Sequence, residues 1–155
     1  MIGKSCNWLL GPEPSKLSNE QIETIRLLFL EETGEIYIPE SIRSLPVPNW
    51  QGNLLLTDNN GIIKGVMWAT PFKDDIIRIV AFVIDSENRG KGLGSEVWDR
   101  IVSVAKQLGK TYIQLEVKAD NEFAIEFYRR RGLKIKKELY GYYSSGVGYM
   151  MRGEI

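Results

Sequence analysis

The chain has 155 residues, of which 43% are hydrophobic and 26% charged, the make-up of one soluble domain with enough length for a single sizeable core. Twenty basic residues balance twenty acidic ones and no apolar run approaches the length of a bilayer span, so neither nucleic acid nor a membrane is an expected partner. With one cysteine and no histidine, an internal disulfide, a histidine-based triad, a Cys-His pair and most zinc sites are excluded, and acid–base chemistry falls to carboxylates, tyrosines, lysines or water.

Met1 to Leu10 lacks the basic, apolar and small-residue order of a signal peptide, which makes the cytoplasm the expected compartment. Within it Cys6 reads as a small apolar residue buried near the first strand, with no base beside it to make a nucleophile. Ser18 and Gln21 form a capping-box pattern, and Ile22, Ile25, Leu28 and Phe29 follow at helical spacing until Gly34 stops the run. From Ile38 to Trp50 three prolines leave room only for a short helical piece around Pro39 to Leu45 and an irregular loop. Leu54 to Thr57 and Ile62 to Thr70 flank Asp58-Asn59-Asn60-Gly61, a hairpin signal in which Asn-Gly supplies positive φ. Ile76 to Ile84 is a nearly continuous apolar strand, as expected for one covered on both faces in mid-sheet.

That strand breaks into Arg89-Gly90-Lys91-Gly92-Leu93-Gly94 and turns into an amphipathic helix from Ser95 to Leu108, with Val97, Trp98, Ile101, Val102, Ala105 and Leu108 on one stripe and Gly109 at its end. A strand that becomes a glycine loop and then a helix offers a row of free N–H groups backed by the positive end of the helix dipole. It is a socket for a phosphate-bearing ligand. The Walker pattern and the dinucleotide fingerprint both fail on spacing, whereas Arg-x-x-Gly-x-Gly fits on Arg89, Gly92 and Gly94, with the amides of Gly90 to Ser95 around a pyrophosphate and Lys91 at its edge. A tight turn without a ligand is the alternative.

Thr111 to Val117 is the next strand, and the strand–helix–strand order implies parallel neighbours joined right-handedly. Its odd positions are mostly apolar while Tyr112, Gln114 and Glu116 are polar, so a mid-sheet strand turns a polar face to a wet cleft, unless that face is merely solvated. Asn121 to Arg131 forms a further helix closed by Gly132, and Lys134 to Tyr143 with Val147 to Arg152 a closing hairpin around Ser144-Ser145-Gly146.

Arg89 to Gly94, the strand Leu115-Glu116-Val117 and the segment Asn121-Glu122-Phe123-Ala124-Ile125-Glu126-Phe127-Tyr128-Arg129-Arg130-Arg131-Gly132-Leu133, taken with their spacing, resemble the GNAT superfamily of acetyl-CoA-dependent N-acetyltransferases, and within it the ribosomal-protein N-α-acetyltransferase branch. The resemblance is specific from about Ile76 to Tyr143; before Ile76 only the order of elements agrees. It implies one GNAT domain over 1–155, α/β (α+β), with a mixed, mostly antiparallel sheet of six to seven strands, a splayed parallel pair and helices on both faces. It further implies that acetyl-CoA lies between the parallel strands and leaves as CoA, its pantetheine arm on the main chain of Phe82, Val83 and Ile84 and its pyrophosphate on the loop of Arg89, Gly90, Lys91, Gly92, Leu93, Gly94 and Ser95, with Asn121 both capping its helix and touching the cofactor.

No protein nucleophile or metal is implied: the acceptor amine attacks the thioester directly. Glu116 is the expected general base, directly or through water, and Tyr128 the acid for the departing thiolate, a phenol and a thiol being of comparable acidity; as a plain pattern residue Tyr128 is one more aromatic on a buried stripe. An α-amine, titrating near 8, needs less help from a base than lysine, about three units above neutrality.

Tyr142 and Tyr143 keep the tyrosine pair of the N-α-acetylating branch, but Val147-Gly148-Tyr149-Met150-Met151 lacks its Asp-Ala, and Leu133 replaces a usual Phe. Glu31, Glu32 and Glu35 fall in the region that lines the acceptor side, where they attract a cationic amine or form a solvated helix end. The expected acceptor is a protein N-terminal α-amine, with a polyamine, an aminoglycoside-like amine or lysine as the runner-up and a non-catalytic acyl-CoA sensor as the other class; a homodimer is allowed.

Overall fold

The computed structural model describes residues 5–143 and 146–155. In chain order these run β1 (Asn7–Leu10), a 3-10 turn (Pro14–Lys16), α1 (Asn19–Thr33), α2 (Pro39–Arg43), β2 (Asn53–Thr57), β3 (Ile63–Lys73), β4 (Ile76–Ile84), a second 3-10 turn (Ser86–Asn88), α3 (Leu93–Gln107), β5 (Tyr112–Lys118), α4 (Glu122–Arg130), β6 (Lys134–Tyr143) and β7 (Gly146–Glu154). The backbone ladder orders the strands β1-β2-β3-β4-β5-β7-β6, with β4–β5 a parallel pair and β1–β2, β2–β3, β5–β7 and β6–β7 antiparallel. This is the mixed, mostly antiparallel sheet expected from the sequence. The chain forms two compact units, one of Met1–Thr70 with Val80–Ile101 and one of Pro71–Ile79 with Val102–Ile155. No helix among the described residues is long and apolar enough to cross a membrane.

In the first unit the capping box of α1 is closed: Ser18 Oγ accepts from the Gln21 N–H at 3.1 Å and Gln21 Oε1 accepts from the Ser18 N–H at 2.9 Å. Gly34 ends the helix in the left-handed region. Ile22, Ile25, Leu28 and Phe29 of α1 pack with Leu55, Val66, Trp68, Ala81 and Val83, each buried Val, Leu, Ile or Phe side chain worth about 1.5–3 kcal/mol. Leu54, Leu56 and Met67, which alternate with them, are equally buried, so the opposite face is covered too. Trp8, opposite Leu56 in the β1–β2 register, donates its indole N–H to Leu93 O at 3.0 Å, which puts the start of α3 over that second face. The hairpin between β2 and β3 turns as expected, with Asp58 Oδ1 accepting from the N–H groups of Asn60 at 2.8 Å and Ile62 at 3.0 Å.

In the second unit β5 is paired along its whole length with β7, from Tyr112↔Glu154 to Lys118↔Gly148, and with β4 from Ile76↔Tyr112 to Ile79↔Leu115. Ile113, Leu115 and Val117 are buried on one face of β5, as the alternation predicts. Asn121 Oδ1 accepts from the Ala124 N–H at 3.2 Å to start α4.

Three expectations are corrected. The glycine-loop helix begins at Leu93, not Ser95, because the Glu96 N–H already reaches Gly92 O at 3.0 Å; side-chain periodicity cannot see a helical turn made of glycines. Leu108 lies past the end of that helix and is 50% exposed rather than on its buried stripe. Cys6 is only half-buried. The turn residues Ser144 and Ser145 lie outside the described residues.

Candidate functional site

The loop after β4 belongs to the first unit. Gly90 and Gly92 have φ of 74° and 81°, a conformation that side chains with a Cβ resist, and a Cβ built on either meets no atom within 4 Å. Their surroundings are open. Gly94 differs: it sits in the first turn of α3 without positive φ, where glycine costs about 0.5–1 kcal/mol against alanine. The first intrahelical donor is Glu96, so the amides from Gly90 to Gly94 have no intrahelical acceptor and stand at the positive end of a 15-residue helix. A pyrophosphate fits this geometry.

Side chains from distant parts of the chain hold the loop in place. Glu32, in the last turn of α1, takes an ion pair from Arg89 at 3.0 Å on one oxygen and the Ser86 N–H at 3.1 Å on the other. Arg89 Nε also donates to Ile84 O at 3.3 Å. The motif arginine thus braces the loop from behind. Buried Asn88 is a second brace: its Oδ1 accepts from Cys6 Sγ and from Lys91 Nζ, both at 3.4 Å, while its Nδ2 donates to Asp85 Oδ1 at 2.6 Å. In the strand before the loop Val83 is buried and Phe82 and Ile84 are half-buried; the β4–β5 ladder stops at Ile79↔Leu115, five residues before β4 ends.

The second unit carries the candidate acid and base. Tyr112, Gln114, Glu116 and Lys118 project from one face of β5, and Gln114 and Lys118 are buried on it, which a merely solvated face would not do. Glu116 is held by Arg78 of β4, whose Nε and terminal nitrogen donate to the same oxygen, Oε1, at 3.0 and 2.6 Å. Met150 lies opposite Glu116 in the β5–β7 register. Tyr128 is buried on α4, its ring edge-on to Phe127 at 5.7 Å. Asn121 spends its side-chain oxygen on the helix cap.

Sequence reading passed over Arg78, Asn88 and Lys118. Arg78 is the lone charged residue of β4, and a lone cation in an apolar strand was the available signal; Lys118 simply continues the alternation of β5 by one step. Of the acids near the end of α1, Glu31 is exposed, Glu32 is engaged with the loop, and Glu35 accepts from the Tyr37 hydroxyl at 2.9 Å. The backbones of Tyr142 and Tyr143 belong to β6, and their side chains lie outside what the structure describes.

The family model described as the Acetyltransferase (GNAT) family matches residues 20–133. The chain is similar to N-alpha-acetyltransferase 30 of Schizosaccharomyces pombe, with 30% identity over 138 residues that cover 84% of this chain and 89% of that protein. Its fold is similar to that of Ard1 from Thermoplasma volcanium, with a TM-score of 0.78, 25% identity and 97% of each chain covered. It is also similar to that of the ribosomal-protein-S18-alanine N-acetyltransferase from Escherichia coli, with a TM-score of 0.73, 17% identity and coverage of 97% of this chain and 94% of the other.

Proposed function

Because the chain belongs to the acetyltransferase (GNAT) family and is an acetyl-CoA-dependent N-acetyltransferase, we propose that its acceptor is the α-amine at a protein N-terminus. The observation that carries this choice is the Arg78–Glu116 pair. A carboxylate already matched by a guanidinium adds no surplus negative charge to draw a polyamine or an aminoglycoside, but it still accepts a proton from an amine that needs little help. Of the acids near the end of α1, Glu32 points the same way, being matched by Arg89. The likeness to an N-α-acetyltransferase over most of the chain supports the same reading.

In the reaction, the amides of Gly90 to Ser95 hold the pyrophosphate of acetyl-CoA and the main chain of Phe82 to Ile84 takes its pantetheine arm. The amine nitrogen bonds to the thioester carbon while its proton passes to Glu116, directly or through one water. The tetrahedral oxyanion collapses, the carbon–sulfur bond breaks, and Tyr128 gives a proton to the leaving thiolate. Glu116 then gives its proton to solvent and Tyr128 takes one back, so a neutral amine and acetyl-CoA leave as the acylated amine and the CoA thiol with no net change in protons.

A thiol-release assay over N-terminal peptides, polyamines and aminoglycosides tests this. Peptides with a free α-amine are expected to be turned over, N-terminally blocked peptides and polyamines not. Glu116→Gln is expected to lower kcat by roughly 100- to 1,000-fold with acetyl-CoA affinity retained. Turnover of polyamines alone would replace the acceptor assignment; acetyl-CoA binding with no amine turned over would favour a sensor.

A further inference from the structure

Among the residues of β4, Ile76–Ile84, Arg78 alone is charged, and its side chain is only 27% exposed. Placing a guanidinium in a central strand costs desolvation and rotamer freedom, which must be returned by what it binds. Its Cα is in register with Gln114, yet its head reaches diagonally to Glu116, two residues further along β5. The Phe72 ring, 5.8 Å from the guanidinium carbon, supports it from the side.

The geometry of the contact is one-sided. Both donors fall on Oε1, and among the described residues no donor reaches Oε2 of Glu116. A structural Arg–carboxylate pair commonly engages both oxygens in a fork. Here one oxygen is fixed and the other is kept open. A glutamate has several rotatable bonds, and a general base is effective only when its accepting lone pair is held within a fraction of an ångström of the proton it takes.

We infer that Arg78 is a positioning residue for the acetyl transfer: it fixes Glu116 through Oε1, so that Oε2 is the oxygen that takes the proton from the acceptor amine. This rests on the reading of Glu116 as general base. The same pair balances the local charge, so removing Arg78 both frees the carboxylate and leaves it unmatched.

The experiment is a double-mutant cycle on the full chain with acetyl-CoA and an N-terminal peptide. Arg78→Ala is expected to lower kcat by about 10- to 100-fold, with acetyl-CoA affinity by calorimetry changed less than about threefold. Free guanidinium at low millimolar concentration is expected to restore several-fold of that loss. In a Glu116→Gln background Arg78→Ala is expected to cost nothing further, because the residue acts through Glu116. A wild-type kcat in Arg78→Ala, or a loss that multiplies with that of Glu116→Gln, overturns the inference and leaves Glu116 as base. A wild-type kcat in Glu116→Gln removes the base assignment itself. Should Arg78→Ala fail to fold, Arg78→Lys carries the test. It keeps the charge on a single point donor, and a kcat about 3- to 30-fold below wild type at an unchanged melting temperature supports positioning, whereas full activity shows that charge alone suffices and overturns it.

Discussion

The glycine loop and the polar row of β5 are built in opposite ways. The loop has almost no ladder of its own and is held by side chains that come from far along the chain: Glu32 to Ser86 spans 54 positions, Cys6 to Asn88 82 and Trp8 to Leu93 85. The β5 row is held by backbone, paired along its length to β7 and over four residues to β4. A binding loop set by side-chain braces can be loosened without unfolding anything, whereas a row set by two ladders keeps its geometry when a side chain is changed. Substitutions in the loop should therefore read out as cofactor affinity, and substitutions in the second unit as turnover.

Gly92→Val gives the largest expected effect on that contrast. The site is open, so the substitution meets no protein atom, but a β-branched residue at φ 81° costs about 1–3 kcal/mol of strain that the loop relieves by moving. Acetyl-CoA affinity is expected to fall by more than about 100-fold with the fold retained, measured by calorimetry alongside the melting temperature. Unchanged affinity would mean that the loop is a turn and nothing more.

Tyr128→Phe probes the other side of the comparison. With the ladder intact, kcat should fall by about 10- to 1,000-fold while acetyl-CoA binds nearly as before. If kcat holds, Tyr128 is only an aromatic of the buried stripe beside Phe127.

Glu32→Gln is a smaller change that sharpens the brace argument. It keeps an acceptor for the Ser86 N–H but gives up the ion pair with Arg89, whose partly exposed guanidinium limits its worth to about 1 kcal/mol. A rise of about two- to fivefold in the acetyl-CoA dissociation constant with kcat unaltered is expected. A change in kcat without a change in affinity would move Glu32 from the loop to the acceptor.

Much of the fold was legible because its signals are local. The Ser18–Gln21 box, the Asp58 to Gly61 turn and the Asn121 cap each lie within a few residues of one another, and each forms as written, whereas the glycine loop enters its helix two residues earlier than periodicity suggests. What the sequence hid is relational. Arg78 pairs with Glu116, 38 positions later, and Glu32 with Arg89; read alone, the first is one cation in an apolar strand and the second part of an acidic helix end. β1 shows only Trp8 buried among its four residues, so no periodicity marks it, and it becomes a strand by pairing with β2. The roles expected of Glu116 and Tyr128, by contrast, came from the family resemblance, with the alternation of β5 as independent support for the first.

Asn121→Ala has the smallest expected effect and separates two duties that sequence reasoning left joined. The side chain accepts from the Ala124 N–H and so caps α4; its loss should cost about 1 kcal/mol of stability, read as a lower midpoint in denaturant at an unchanged slope. A cap alone predicts no change in acetyl-CoA affinity. Asn121→Asp supplies the control, since aspartate caps as well as asparagine and its charge favours a helix N-terminus. If Asp restores stability and affinity stays at wild type in both variants, the residue serves α4 only. If affinity falls in both while stability falls only in Ala, the side-chain amide meets the cofactor as well, because Asp keeps the accepting oxygen and lacks the amide N–H groups.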